Sequence, residues 1–197
     1  MKYTTNEGTV YHRNGYGPAV VLVHGLGMNQ AMWQWLVPNL TKHFDVLSYD
    51  LWGHGESSNP PSIPNLRLFS QQILELINEA GIAVTAVVGF SIGGMIARRF
   101  AYDYSTRLSA IAILNSSHDR THSENKAVQI RANQARERGS AAMVHAALNR
   151  WFTDEFQFEN PKTMELVRKW LEANNPDIYP QIYRVHLYFI TNEYFLW

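Results

Sequence analysis

The sequence predicts an α/β fold, a mostly parallel sheet with flanking helices on both faces, and three observations predict it. Apolar, β-branched runs recur at residues 19–24, 44–49, 84–90 and 108–114, the composition of strands buried on both sides. Segments of helical periodicity separate them, which makes each pair a βαβ crossover. Glycine-rich turns follow the first three runs, and the topology gathers them at the carboxyl edge of the sheet, where ligands bind in open α/β folds.

In chain order, the opening segment reads as two short strands joined by a turn at Asn6-Glu7-Gly8. The first buried strand, Ala19-Val20-Val21-Leu22-Val23, runs into His24-Gly25-Leu26-Gly27, and a helix is expected near Met32 to Leu40. The second, Phe44 to Tyr49, runs into Asp50-Leu51-Trp52-Gly53-His54-Gly55-Glu56-Ser57. Its glycines permit positive φ in a tight loop, and Asp50 can accept from local amides. That geometry accounts for His54 as a structural residue, although a loop histidine also attracts assignment as a catalytic base. From Leu66 to Ala80, the residues Leu66, Phe69, Ile73, Leu76, Ile77 and Ala80 share one face at 3.6 spacing, and Gly81 can end the helix.

The third strand, Val84-Thr85-Ala86-Val87-Val88, enters Gly89-Phe90-Ser91-Ile92-Gly93-Gly94. A Gly-x-Ser-x-Gly spacing between strand and helix suits a nucleophile elbow: the turn is so sharp that side chains two before and two after the serine would collide. A helix beginning near Ile92 directs its free N–H groups and the positive end of its dipole at the serine oxygen. The Leu26 N–H, turned back from the neighbouring strand, would pair with the Ile92 N–H as an oxyanion hole, each donor worth about 3 kcal/mol in the transition state. A plain βα turn tightened by glycine accounts for the His24-Gly25 segment equally well. Gly25 and Phe90, next to these groups, are the expected lining of a substrate pocket.

After the fourth run, Leu108 to Leu114, the pattern changes to helices only. Thr121-x-x-Glu124 reads as a capping box. Asn160-Pro161 and Asn175-Pro176 each read as an N-cap followed by proline in a first turn. Trp151, Phe152, Phe156, Phe158, Trp170 and Tyr179 make the segment strongly aromatic. The chain therefore divides into a core over 1–120, a helical cap over 121–190 and an aberrant tail over 191–197.

Among 197 residues, seventeen basic and seventeen acidic side chains give zero formal charge, so nothing points to nucleic acid or an anionic membrane as partner. The absence of cysteine removes disulfides, thiolate catalysis and cysteine-ligated metal. The N-terminus lacks an apolar signal region, and no apolar stretch is long enough to span a bilayer. A cytoplasmic protein without metal or cofactor is the expectation. No Gly-x-Gly-x-x-Gly or Walker pattern supports a nucleotide-binding reading.

The three turn motifs, in this order, resemble the α/β-hydrolase superfamily, from about Val10 to the end of the helix after Ser91. Trp33-Gln34-Trp35 and Gly93-Gly94-Met95-Ile96-Ala97 look like the branch that contains 3-oxoadipate enol-lactonases and small esterases. The resemblance implies Ser91 as nucleophile, Leu26 and Ile92 as oxyanion-hole amides, no cofactor, and a small ester or lactone substrate. It also implies that a helical cap inserted after the fourth parallel strand roofs the active site. Related dehalogenases and epoxide hydrolases carry aspartate at the nucleophile position, and Ser91 argues against both.

The resemblance breaks in one respect. A serine hydroxyl needs an imidazole to take its proton and a carboxylate to orient that imidazole, and in this fold both follow the cap. Asp119 is a candidate acid, since some relatives place theirs after this strand. His118, His122, His145 and His186 remain as candidate bases, the last three on expected cap helices where packing or solvated roles compete. The tail from Arg184 to Trp197 is apolar and aromatic and carries no Gly-His or Gly-x-x-Asp turn. The expectation is a chain truncated or frame-shifted near residue 187, with the final strands, acid and histidine missing. The fourth parallel strand would then be an apolar edge that favours self-association. An alternative to the hydrolase is an incompetent fragment or binding module that keeps the elbow and oxyanion hole alone.

Overall fold

A computed structural model describes residues 1–139 and 141–187, with Ala141 described by its backbone alone. The expected aberrant tail over 191–197 lies outside the described residues. The chain forms two compact units, one from Met1 to Asp119 and one that begins at Arg120.

The first unit is built on a six-stranded sheet: β1 (Lys2–Thr4), β2 (Val10–Gly15), β3 (Ala19–Val23), β4 (Asp45–Tyr49), β5 (Thr85–Phe90) and β6 (Leu108–Leu114). Their order across the sheet is β1-β2-β4-β3-β5-β6. β1, β2 and β4 pair antiparallel, whereas β4, β3, β5 and β6 are mutually parallel. Strand alternation divides the core between two faces. Val20, Leu22 and Val46 pack with Trp33 on one face, joined by Met32, Val37 and Leu40. Val21, Val23, Leu47 and Val87 are fully enclosed on the other, the face that carries α3 (Ile92–Asp103), against which α2 (Leu66–Glu79) packs. Each such side chain contributes about 1.5–3 kcal/mol through burial.

α2 begins where Asn65 accepts the Leu68 N–H through Oδ1 at 2.9 Å. It buries Phe69, Ile73, Leu76 and Ile77 as expected, while Leu66 and Ala80 stay half-buried. The buried face also includes Ser70 and Gln72, which apolar periodicity does not reveal. Both are tolerated because they are bonded: Ser70 donates to Asp103 (3.1 Å), and Gln72 donates to Thr9 (3.0 Å) while accepting the Trp52 N–H (3.2 Å).

The helix expected over Met32 to Leu40 is instead a short 3-10 segment, Gln30–Trp33, followed by one turn of helix, α1 (Val37–Leu40). Pro38 explains the division. It lacks the N–H that would reach back to Gln34, and its ring collides with that carbonyl. At the other end of the sheet, β6 pairs with β5 alone among the described residues. Ile111, Ile113 and Leu114 are exposed there.

The second unit contains α4 (His122–Arg138), α5 (Val144–Trp151), α6 (Asp154–Glu159), α7 (Pro161–Glu172) and α8 (Tyr179–Val185). Both halves of the Thr121–Glu124 capping box are present at the start of α4. Asn160 holds the N-cap position of α7 ahead of Pro161, without a side-chain capping bond. Asn175-Pro176 does not open a helix. Asn175 closes a turn, its Oδ1 accepting the Asp177 N–H at 2.9 Å, and α8 begins at Tyr179 with Pro180 in its first turn. The aromatic residues of this unit divide: Tyr179 is buried, whereas Phe158 is 88% exposed.

Candidate active site

β5 delivers the chain to Ser91, whose backbone sits at φ +55°, ψ −118°. This conformation is rarely adopted by a residue with a side chain and costs about 1–3 kcal/mol. Two glycines make the turn possible. A Cβ on Gly89 would overlap the Gly93 carbonyl, and one on Gly93 would overlap the Val23 carbonyl. The Ser91 N–H donates to Leu114 O at 3.0 Å, and the Ser91 carbonyl accepts from the Gly94 N–H at 3.0 Å. The side chain of Ser91 makes no capping bond to α3. Its hydroxyl is therefore held at the amino end of a twelve-residue helix, where the helix dipole favours negative charge on that oxygen.

The loop after β3 meets this turn. Gly25 to Met28 is a β-turn closed by the Met28 N–H on the Gly25 carbonyl at 3.1 Å. Gly27 lies at φ +76°, the signature of the third position of a type II turn. A Cβ built on Gly25 would come within 2.9 Å of Phe90 Cδ1 and 3.5 Å of Ser91 Cβ. Gly25, Phe90 and Ser91 are thus in close packing, with Leu26 and Ile92 immediately next in chain. Both of these are buried. Among the described residues neither amide N–H donates to a backbone carbonyl in the turn and loop bonds.

His24 and His54 lie beneath the loop, fully buried, with ring centroids 5.2 Å apart. His24 Nε2 accepts the Leu51 N–H at 2.9 Å, and its Nδ1 stands 2.8 Å from the Gly25 carbonyl. A carbonyl only accepts and an amide only donates, so the ring is neutral with its proton on Nδ1. His54 Nε2 accepts the Gly27 N–H at 3.1 Å. Burial drives the His24 imidazole down to about 4, against a smaller upward pull from Gly25. Burial, with His24 as a neighbour, drives His54 to about 3. Asp50 clamps the same region, accepting the Gln30 N–H at 2.8 Å and the Glu56 N–H at 2.9 Å. Its pKa is nevertheless raised, because burial outweighs the two amides.

His54 is thus a structural acceptor, as the loop geometry suggests. The part played by His24 is not apparent from its motif. The available signal is a polar residue continuing a buried apolar run, which requires partners. Asp119 is exposed, beyond a turn in which Arg98 donates to Ser117 O (3.0 and 2.9 Å) and to the Ser116 hydroxyl (2.9 Å). Of the candidate bases, His118, His122 and His145 are exposed, and His186 is buried with its pKa lowered to about 4, chiefly by that burial. Among the described residues no group of three His, Asp or Glu side chains suits a metal ion, and no helix is long and apolar enough to cross a membrane.

Comparison with known proteins places this geometry in a family. Residues 18–159 match the alpha/beta hydrolase fold family. The (E)-2-((N-methylformamido)methylene)succinate hydrolase of Acinetobacter baylyi is 30% identical over 185 residues, covering 93% of this chain and 68% of that protein. 3-Oxoadipate enol-lactonase 2 of the same organism is 28% identical over 148 residues, 75% of this chain. The aligned part spans 55% of that lactonase's length. The crystal structure of the enol-lactonase from Burkholderia xenovorans superposes with a TM-score of 0.86 at 27% identity, covering 95% of this chain and 73% of that one. With its Gly-x-Ser-x-Gly turn between β5 and α3 and this match over residues 18–159, the chain belongs to the α/β hydrolase fold family.

Proposed function

We propose that the protein is a serine hydrolase for small carboxylic esters or lactones, with Ser91 as the nucleophile that forms an acyl-enzyme. The observation that carries this reading is the strained backbone of Ser91, which leaves its hydroxyl uncapped at the start of α3. Energy is stored at one residue to present one oxygen. Attack of that oxygen on an ester carbonyl passes the serine proton to a general base and forms a tetrahedral oxyanion to which the amides of Leu26 and Ile92 donate. Its collapse expels the alcohol, which takes up that proton, and leaves the acyl-enzyme. Gly25 and Phe90 border the acyl group, and the missing side chain of Gly25 lets its backbone close on Phe90 and Ser91. Neither His24 nor His54 acts as the base, since the unprotonated nitrogen of each buried ring, the one that would take up a proton, already accepts a backbone N–H. Asp119 is the candidate acid of the first unit. The names of the lactonase and hydrolase relatives support an ester or lactone substrate, and no cofactor enters the mechanism.

Intact-mass detection of a fluorophosphonate adduct tests the reading. One adduct on the protein, absent from Ser91→Ala, supports an activated Ser91. A folded protein that takes up no adduct would leave the elbow and amides as a binding module without acyl transfer, the alternative reading.

A further inference from the structure

The turn that carries the Leu26 amide is held from beneath by two neutral imidazoles, and each acts on a different peptide plane. The Leu26 N–H belongs to the Gly25–Leu26 peptide, whose carbonyl receives the His24 Nδ1–H at 2.8 Å. In a trans peptide the carbonyl and the N–H point in opposite directions. A donor that holds the Gly25 carbonyl toward the core therefore holds the Leu26 N–H away from it. The next peptide, Leu26–Gly27, is the one that rotates by half a turn when a type II turn becomes type I. Its N–H is fixed on His54 Nε2 at 3.1 Å. His24 is itself pinned through Nε2 by the Leu51 N–H, so the loop after β4 sets the loop after β3.

We propose that His24 and His54 are positioning residues that orient the oxyanion turn, His24 by donating to the Gly25 carbonyl and His54 by accepting the Gly27 N–H. The inference deepens the serine-hydrolase reading and rests on it for its kinetic consequence, though not for its geometry. Neither histidine touches the reacting atoms. Each must stay neutral and in one tautomer: full burial disfavours the charged ring, and the backbone N–H donated to each Nε2 leaves the proton on Nδ1. The Met28 N–H also bonds the Gly25 carbonyl, but a turn-closing bond is common to both turn types and does not choose between them.

Single substitutions separate the donor from the acceptor. Asparagine at 24 places an amide N–H where Nδ1 stands, whereas glutamine at 24 reaches only the Nε2 position. Glutamine at 54 supplies an acceptor at the Nε2 position, and leucine at 54 supplies none. In the full chain, the rate of fluorophosphonate labelling of Ser91 is expected to fall about 100-fold in His24→Gln and His54→Leu, the scale of losing one oxyanion donor. His24→Asn and His54→Gln are expected to recover at least tenfold of that loss. Rates that follow melting temperature, regardless of which donor or acceptor is restored, would overturn the proposal. A second readout does not need a reactive serine. Nitrogen-15 NMR at pH 7 should show both rings neutral with the proton on Nδ1, and the Leu26 amide resonance should move in His24→Gln and return in His24→Asn. A proton on Nε2 of either ring would overturn the inference. If the wild-type chain takes no label, the serine-hydrolase reading falls and the NMR result alone decides the geometry.

Discussion

At Ser91 the chain holds a side-chain-bearing residue where glycine would rest more easily, at φ +55°. Glycine accepts such angles without a Cβ clash, at the cost of more freedom in the unfolded chain. Ser91→Gly should therefore raise stability by about 1 kcal/mol while abolishing labelling, whereas Ser91→Ala should abolish labelling and keep the strain. Denaturant unfolding beside the labelling assay distinguishes the two. The histidines predict a pH dependence. His24 and His54 ionise at about 4 and 3 when folded, against about 6.5 unfolded. Below pH 6.5 the unfolded chain takes up protons that the folded chain refuses, so stability is full above that pH and is lost as pH falls toward 4. For His24 alone the loss is about 3 kcal/mol by pH 4. Thermal melts between pH 7 and 4 should show this, with a shallower slope in His24→Asn.

Among the elements, the elbow depends on how closely β5, α3 and the end of β3 approach. Gly89→Ala sets a methyl against the Gly93 carbonyl, which is backbone and cannot rotate aside. The expected cost is about 3 kcal/mol, with loss of labelling even where the protein still folds. α4 offers a local contrast. Removing its cap with Thr121→Ala deletes the acceptor of the Glu124 N–H and the hydroxyl bond to the Glu124 carboxylate, although the Thr121 backbone N–H still donates to that carboxylate, and should cost about 1 kcal/mol. Urea midpoints measured on both variants rank the two effects. Of the three helical starts read from sequence after β6, the two at Thr121 and Asn160 coincide with observed helices. Asn175 differs because Pro180 sets a later start, and the intervening residues close a turn instead.

For the whole molecule, zero formal charge leaves little electrostatic repulsion between copies, and β6 presents Ile111, Ile113 and Leu114 at the sheet edge. Self-association along this edge is the corresponding proposal, because an unpaired apolar strand is a template for another. Sedimentation velocity should show mass rising with concentration, and Ile113→Lys should return the protein to monomer. A wild-type chain that stays monomeric at high concentration would refute it.

Part of this molecule is encoded by local chemistry. Continuous apolar runs set β3, β4, β5 and β6 and their parallel direction, and Gly-x-Ser-x-Gly set the turn at Ser91. Hydrophobic burial and steric exclusion act on whichever residues occupy those positions, so these features are legible without partners. The structure alone decided what depends on residues distant in sequence. Pro38 broke an expected helix, Gln72 was buried because Thr9 and Trp52 supply its bonds, and the His-Gly turn acquired its orientation from Leu51 and His54, each 27 residues away from its partner. A hydrogen bond to a buried ring fixes a peptide plane only once both loops are in place, and no local pattern in either loop records the other.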